Sequence, residues 1–93
     1  MNTPQDREKA HRMVEQGARL VDVRTPREYA AGHLEGSVNI PLQELPNRYQ
    51  EIGPPETAVV VYCAQGPRSA MAEQFLRTRG YQDVHNLGGM STW

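Results

Sequence analysis

The run "TAVVVY", Thr57 to Tyr62, limits the possible folds of this chain more than any other segment. It is continuously apolar and rich in β-branched residues, the pattern of a strand covered on both faces of a parallel sheet. Such a strand needs helices above and below it, and its parallel neighbours need crossover connections. The rest of the chain supplies both, because Gly and Pro divide it into short units that alternate between strand and helix patterns. Residues 5–16 are polar and helix-compatible, with Ala10, Met13 and Val14 at helical spacing and Gly17 as the stop. "RLVDVR", Arg19 to Arg24, reads as a strand. Thr25, Pro26 and Glu28 then form a capping-box signature that opens a short helix through Ala31, ended by Gly32. "SVNIP", Ser37 to Pro41, is a second strand. Leu42, Leu45, Tyr49 and Ile52 place apolar groups on one helical face that Pro46 makes irregular. After "TAVVVY" a helix is predicted to start near Ser69, with Ala72, Phe75 and Leu76 as its buried stripe and Gly80 as its C-terminal cap. "DVHNL" is the last strand, ending at Gly88 and Gly89. The expected architecture is α/β: a mainly parallel sheet of about four to five short strands with helices on both faces, in one domain over residues 1–93.

Charge and cysteine content narrow the chemistry. The formal charge is −1, and the ten basic residues are interspersed with eleven acids without forming a run. Nucleic acid and membrane are therefore not expected partners. A lone cysteine cannot close an intramolecular disulfide, and the three histidines lie far apart in sequence, so no structural metal is expected. The N-terminal "MNTPQDREKAHR" has no apolar core of signal-peptide length, and the expected location is the cytoplasm.

The single cysteine, Cys63, follows the central strand directly. In open α/β sheets ligands bind beyond the carboxyl ends of the strands, which is where Cys63 falls. The next helix presents amides and a dipole that favour a negative charge, and a thiolate is such a charge. A cysteine in apolar surroundings has a raised pKa, whereas one facing helix amides and an arginine has a lowered one. Gly66 allows successive N–H groups to turn inward as an anion nest, Pro67 contributes none, and Arg68 can fold its fork over an oxyanion. Cys63 is the candidate nucleophile, and Ala64, Gln65, Gly66, Pro67, Arg68 and Ser69 are the candidate substrate-binding loop.

Three ordered segments carry a family resemblance: "LVDVRTPREYAAGHLEGSVNIP", "CAQGPRS" and "GYQDVHNLGGMSTW". Over Leu20 to Trp93 the chain resembles the rhodanese (sulfurtransferase) family, in particular its small single-domain members. The resemblance implies the rhodanese-like three-layer fold. It also implies a Cys63 that takes a sulfane sulfur from thiosulfate or a protein persulfide, holds it as a persulfide, and passes it to cyanide or a thiol. The implied partners are a small anionic sulfur donor, a thiophilic acceptor and a sulfur-relay protein; no cofactor is implied. Mercaptopyruvate is less suited as donor, because the relatives that use it resemble rhodaneses lacking an arginine at the position of Arg68. Ala64, Gln65 and Pro67 are uncharged, so an anionic donor gains less attraction than from relatives with a basic loop. Members of the family usually add an N-terminal strand and a C-terminal helical segment, so sheet edge or core surface is expected here to be covered by a partner, an oligomer or nothing.

Two other readings compete. The first is a sulfur-carrier or regulatory interaction module without turnover, against which the retained Cys63 and Arg68 argue. The second is a cysteine phosphatase, whose signature places five residues between Cys and Arg where this chain has four. Among neighbouring residues, Arg24 is expected to pair with Asp22 or Glu28 in a fixed loop rather than to attract donors. His33 reads as a packing residue, Ser69 as a helix cap that can also donate to the thiolate, and Gly88 and Gly89 as a turn near the site.

Overall fold

The computed structural model describes residues 3–93. In chain order the elements are α1 (Pro4–Glu15), β1 (Arg19–Asp22), α2 (Pro26–Ala31), β2 (Val38–Asn39), α3 (Leu45–Arg48), β3 (Val59–Cys63), α4 (Pro67–Thr78) and β4 (Val84–Gly89). The four strands form one sheet in the order β2-β1-β3-β4, and every adjacent pair is parallel. This is the α/β architecture expected from the alternation.

The pleat of β1 and β3 divides the core in two. Val21, Val23, Val59, Val61 and Cys63 point to one face, against Leu45 and Ile52 of the α3 region and Ala72 and Leu76 of α4. Leu20, Val60 and Tyr62 point to the other, against Ala10 and Met13 of α1. All five residues of β3 are buried, as a strand covered on both faces must be. Between β3 and β4 the register slips after Val61: Val61 pairs with Asn86 and Tyr62 with Gly88. The extra residue, Leu87, stays buried with Tyr62 and Val60 in the α1-side core.

Several boundaries differ from the sequence reading. Arg19 to Arg24 shortens to four strand residues, because the chain turns at Arg24 to close a buried ion pair. "SVNIP" keeps strand geometry only at Val38 and Asn39, with Pro41 ending the edge. The irregular element around Pro46 is the four-residue α3 flanked by 3₁₀ turns at Leu42–Glu44 and Tyr49–Ile52. The capping box at Thr25 forms as read: Glu28 N–H donates to Thr25 Oγ1 at 3.2 Å, and Thr25 N–H donates to Glu28 Oε1 at 3.0 Å. Among the described residues no helix is long and apolar enough to cross a membrane.

Candidate active site

Cys63 is the last residue of β3, and four residues on, α4 begins at Pro67 rather than at Ser69. Gly66 is the residue that caps α4, with φ of 119°, a left-handed conformation that glycine adopts without strain. Ser69 therefore lies inside the first turn and is not the N-terminal cap. Its hydroxyl donates to the Gly66 carbonyl at 2.8 Å and its Oγ stands 3.4 Å from Cys63 Sγ, with the side chain fully buried.

The chain between Cys63 and Ser69 wraps around the sulfur. Gly66 N–H donates to Cys63 Sγ at 2.8 Å. Burial pushes the Cys63 thiol up, but the Ser69 hydroxyl and the backbone amides of Ser69, Gly66 and Gln65 outweigh it, so the thiol lies below its ordinary value. Amides held in place by the loop stabilise a thiolate without reorganising. Cys63 itself has no exposed surface, while Ala64, Gln65 and Pro67 face solvent and Gly66 is half-buried. The sulfur lies beneath its own loop.

Arg68 does not reach over the loop. Its Nη1 and Nη2 donate to Glu28 Oε1 and Oε2 at 2.7 and 3.0 Å, a fork-to-fork pair joining the first turns of α4 and α2. The Arg68 guanidinium is the main reason the Glu28 carboxyl is lowered to about 2. Sequence reasoning placed Glu28 only in the capping box and as a partner of Arg24. It does cap, but its ion-pair partner is Arg68, and no local pattern signals a pair separated by forty positions.

Arg24 behaves as a structural group, as expected. It forms a buried pair with Asp22, Nη2 to Oδ2 at 2.7 Å, and the same Nη2 donates to the Gly32 carbonyl at 2.7 Å. Asn39 braces the same corner, its Nδ2 donating to the backbone carbonyls of Asp22 and Arg24 at 3.0 and 2.9 Å. This role of Asn39 was not read from the sequence. His33 stacks on Tyr29 with ring centroids 3.7 Å apart and donates from Nδ1 to the Tyr29 carbonyl at 2.8 Å. It belongs to packing at the end of α2.

Gly88 and Gly89 lie in β4 rather than beyond it. Gly89 runs so close to the loop that a Cβ there would stand 3.0 Å from the Ala64 carbonyl oxygen. The sequence marked these glycines as a turn; at Gly89 the need is close approach, since its φ of −77° suits any residue. Among the described residues no group of three or more His, Cys, Asp and Glu could hold a metal ion.

Comparison with known proteins agrees with this geometry. The profile of the Rhodanese-like domain family matches residues 6–93. Over 77 residues the chain is 43% identical to the uncharacterized protein YqhL of Bacillus subtilis, covering 82% of this chain and 60% of YqhL. It is 39% identical over 71 residues to the thiosulfate sulfurtransferase PspE of Escherichia coli, covering 75% of this chain and 68% of PspE. The solved structure titled "rhodanese with anions from E. coli" superposes with a TM-score of 0.78 at 35% identity, covering 83% of this chain and 92% of that one. With the profile matched from the first helix to Trp93, and with the parallel sheet, the cysteine at the end of β3 and its amide-lined loop, this chain belongs to the rhodanese-like domain family.

Proposed function

We propose that the chain is a sulfurtransferase that moves a sulfane sulfur from thiosulfate, or from a protein persulfide, through Cys63 to a thiophilic acceptor. The observation that carries this reading is a fully buried thiol lowered below its ordinary value by fixed backbone amides and Ser69. In the first step the Cys63 thiolate attacks the outer sulfur of thiosulfate. A new S–S bond forms, the old one breaks, and its electron pair leaves with sulfite. In the second step the acceptor attacks the outer sulfur of the persulfide and Cys63 leaves as thiolate, so the amides that stabilise it also make it a better leaving group. The sulfur transfer itself needs no proton donor, and the loop holds neither a His nor a carboxylate.

Arg68 is the anion ligand of this scheme, and Glu28 occupies it until a donor arrives. An incoming sulfonate competes with the carboxylate for the same fork. Steady-state thiocyanate production from thiosulfate and cyanide tests the reading. Parallel double-reciprocal lines, lost in Cys63→Ser, are expected for a persulfide enzyme; no thiocyanate above the Cys63→Ser background contradicts it.

A second reading, delivery of the sulfur to a protein rather than to a small acceptor, is favoured by one observation. Cys63 is covered in the unliganded chain while the neighbouring Ala64, Gln65 and Pro67 are exposed and uncharged, a surface that a partner protein can press upon.

A further inference from the structure

At the end of the sheet where the strands begin, away from the cysteine, lies a cavity of about 390 Å³. Tyr49, Pro54 and Pro55 give it apolar walls, and Gln50 and Arg79 give it polar groups. These residues precede β3 or follow α4, whereas Cys63 ends β3. The helix α4 spans the interval: it starts beside the sulfur at Pro67, runs for twelve residues, about 18 Å, and is capped by Arg79. The cavity is therefore no part of the sulfur site.

One buried phenol fixes its walls. Tyr81 is 2% exposed; its hydroxyl donates to the Gly53 carbonyl and stands 3.3 Å from the Tyr49 carbonyl. Its ring meets that of Tyr49 edge-on, with centroids 6.4 Å apart. Pro55 in turn lies close to the end of α4, where a Cβ on Gly80 would touch its ring at 3.6 Å. A cavity tied together in this way exists before anything enters it, which lowers the cost of binding.

Arg79 is the charged group among the residues that line it. Its guanidinium carbon lies 5.1 Å from the centroid of the Phe75 ring and 5.7 Å from that of Tyr49, so two aromatic rings hold the cation in place. Arg24, Arg48, Arg68 and Arg77 each hold a carboxylate. Among the described residues Arg79 holds none and makes no side-chain hydrogen bond. Glu51, close in sequence, is engaged by Arg48, and Glu56 lines a separate hollow beyond Pro55. The Arg79 fork is thus open to a ligand, and a carboxylate is a group that it matches. The Tyr49 ring and the two pyrrolidine rings are flat apolar surfaces, which suit a planar ring. The volume lies near the lower end of the roughly 300–1,000 Å³ of small-molecule sites, enough for one such ring.

We propose that this cavity binds a small monocarboxylate built on a single aromatic ring, with the carboxylate on Arg79 and the ring against Tyr49, Pro54 and Pro55. Such a site is independent of sulfur transfer at Cys63 and stands or falls separately from it.

The test follows the backbone amides of the full chain by proton–nitrogen correlation NMR during titration with three probes: phenylacetate, its uncharged counterpart phenylacetamide, and acetate, which has no ring. Phenylacetate is expected to shift the Gly53, Gly80 and Tyr81 amides to saturation with a Kd on the order of millimolar, the scale for a ligand of about ten heavy atoms. Phenylacetamide, which lacks the charge, and acetate, which lacks the apolar body, are each expected to bind roughly tenfold or more weakly. In Arg79→Gln phenylacetate should bind no better than phenylacetamide binds to the parent. Equal affinity for phenylacetate and phenylacetamide, or for phenylacetate and acetate, would overturn the proposal. So would the absence of saturable shifts at Gly53 and Gly80, or shifts confined to the Gln65 and Gly66 amides, which would put the carboxylate at the cysteine loop. The comparison of probes is made on the unsubstituted protein, so it decides the matter even if Arg79→Gln does not fold.

Discussion

Arg68 and Glu28 are joined by two parallel N–H···O bonds of 2.7 and 3.0 Å, and this pair ties the first turn of α4 to the first turn of α2. Glu28 also completes the capping box with Thr25, so one carboxylate organises a helix start and holds the loop arginine. The charge that the loop could offer an anion is thereby already engaged.

If an anionic donor must compete with Glu28, removing that competitor should help the donor bind. Glu28→Gln keeps a capping group but loses the charge, and the KM for thiosulfate is expected to fall severalfold. Arg68→Ala is expected to lower kcat/KM for thiosulfate by roughly tenfold or more, the scale of one charge-assisted hydrogen bond. Steady-state kinetics at fixed ionic strength measure both, and a Glu28→Gln enzyme with a raised KM would show that the pair positions Arg68 instead of blocking it.

The same pair gives a pH-dependent stability with a definite sign. The Glu28 carboxyl is lowered from 4.5 to about 2, mainly by Arg68. Its contribution is therefore fully present above the unfolded value and is lost as pH falls through about 2. Parent and Glu28→Gln should differ in urea midpoint at pH 7, and the gap should narrow steadily below the ordinary carboxylate range. A gap that does not change with pH would mean the carboxylate charge plays no part.

Ser69 contributes a hydroxyl 3.4 Å from the Cys63 sulfur and is among the groups that hold the thiol below its ordinary value. In Ser69→Ala the pH midpoint for alkylation of Cys63 by iodoacetamide should move up. Sulfur transfer from thiosulfate near neutral pH should slow as the thiolate fraction falls. An unchanged midpoint would assign the lowering to the backbone amides alone.

Gly89 leaves little room for a side chain beside the Ala64 carbonyl, where a Cβ would approach to 3.0 Å. Gly89→Ala requires the loop or the strand to give by a few tenths of an ångström, and the expected cost is about 1 kcal/mol, the low end for overpacking. For a domain of this size each kcal/mol lowers Tm by roughly 4–8 °C. Because the displaced backbone belongs to the cysteine loop, kcat/KM should fall as well, and full activity in this variant would contradict the placement of β4 against the loop.

Arg24 and Asp22 form a buried pair, with side-chain exposures of 7% and 0%. Arg24→Ala strands the Asp22 carboxylate and should cost about 3–5 kcal/mol of stability. Arg24→Lys should not restore it, because lysine cannot reproduce the forked contact with Asp22 together with the Gly32 carbonyl. Urea unfolding compares the three proteins.

How far the sequence revealed this arrangement depends on the range of the interactions. The Thr25–Glu28 capping box, the buried strand ending at Cys63 and the glycine stops are local, and their residues show them directly. The position of Ser69 was misread because a serine near a predicted helix start resembles a cap; Pro67 starts α4 earlier, with Gly66 capping it, and turns Ser69 inward to the sulfur. The Arg68–Glu28 pair, the approach of Gly89 to Ala64 and the bracing by Asn39 depend on how strands and helices meet in three dimensions. No spacing along the chain encodes those contacts.

The central claim is that Cys63 carries the transferred sulfur, and intact mass tests it most directly. The reduced protein and Cys63→Ser are weighed before and after incubation with thiosulfate. A gain of about 32 Da on the parent alone, reversed by cyanide or dithiothreitol, is the predicted result. No gain on the parent with thiosulfate or with a protein persulfide, or an equal gain on Cys63→Ser, would contradict it.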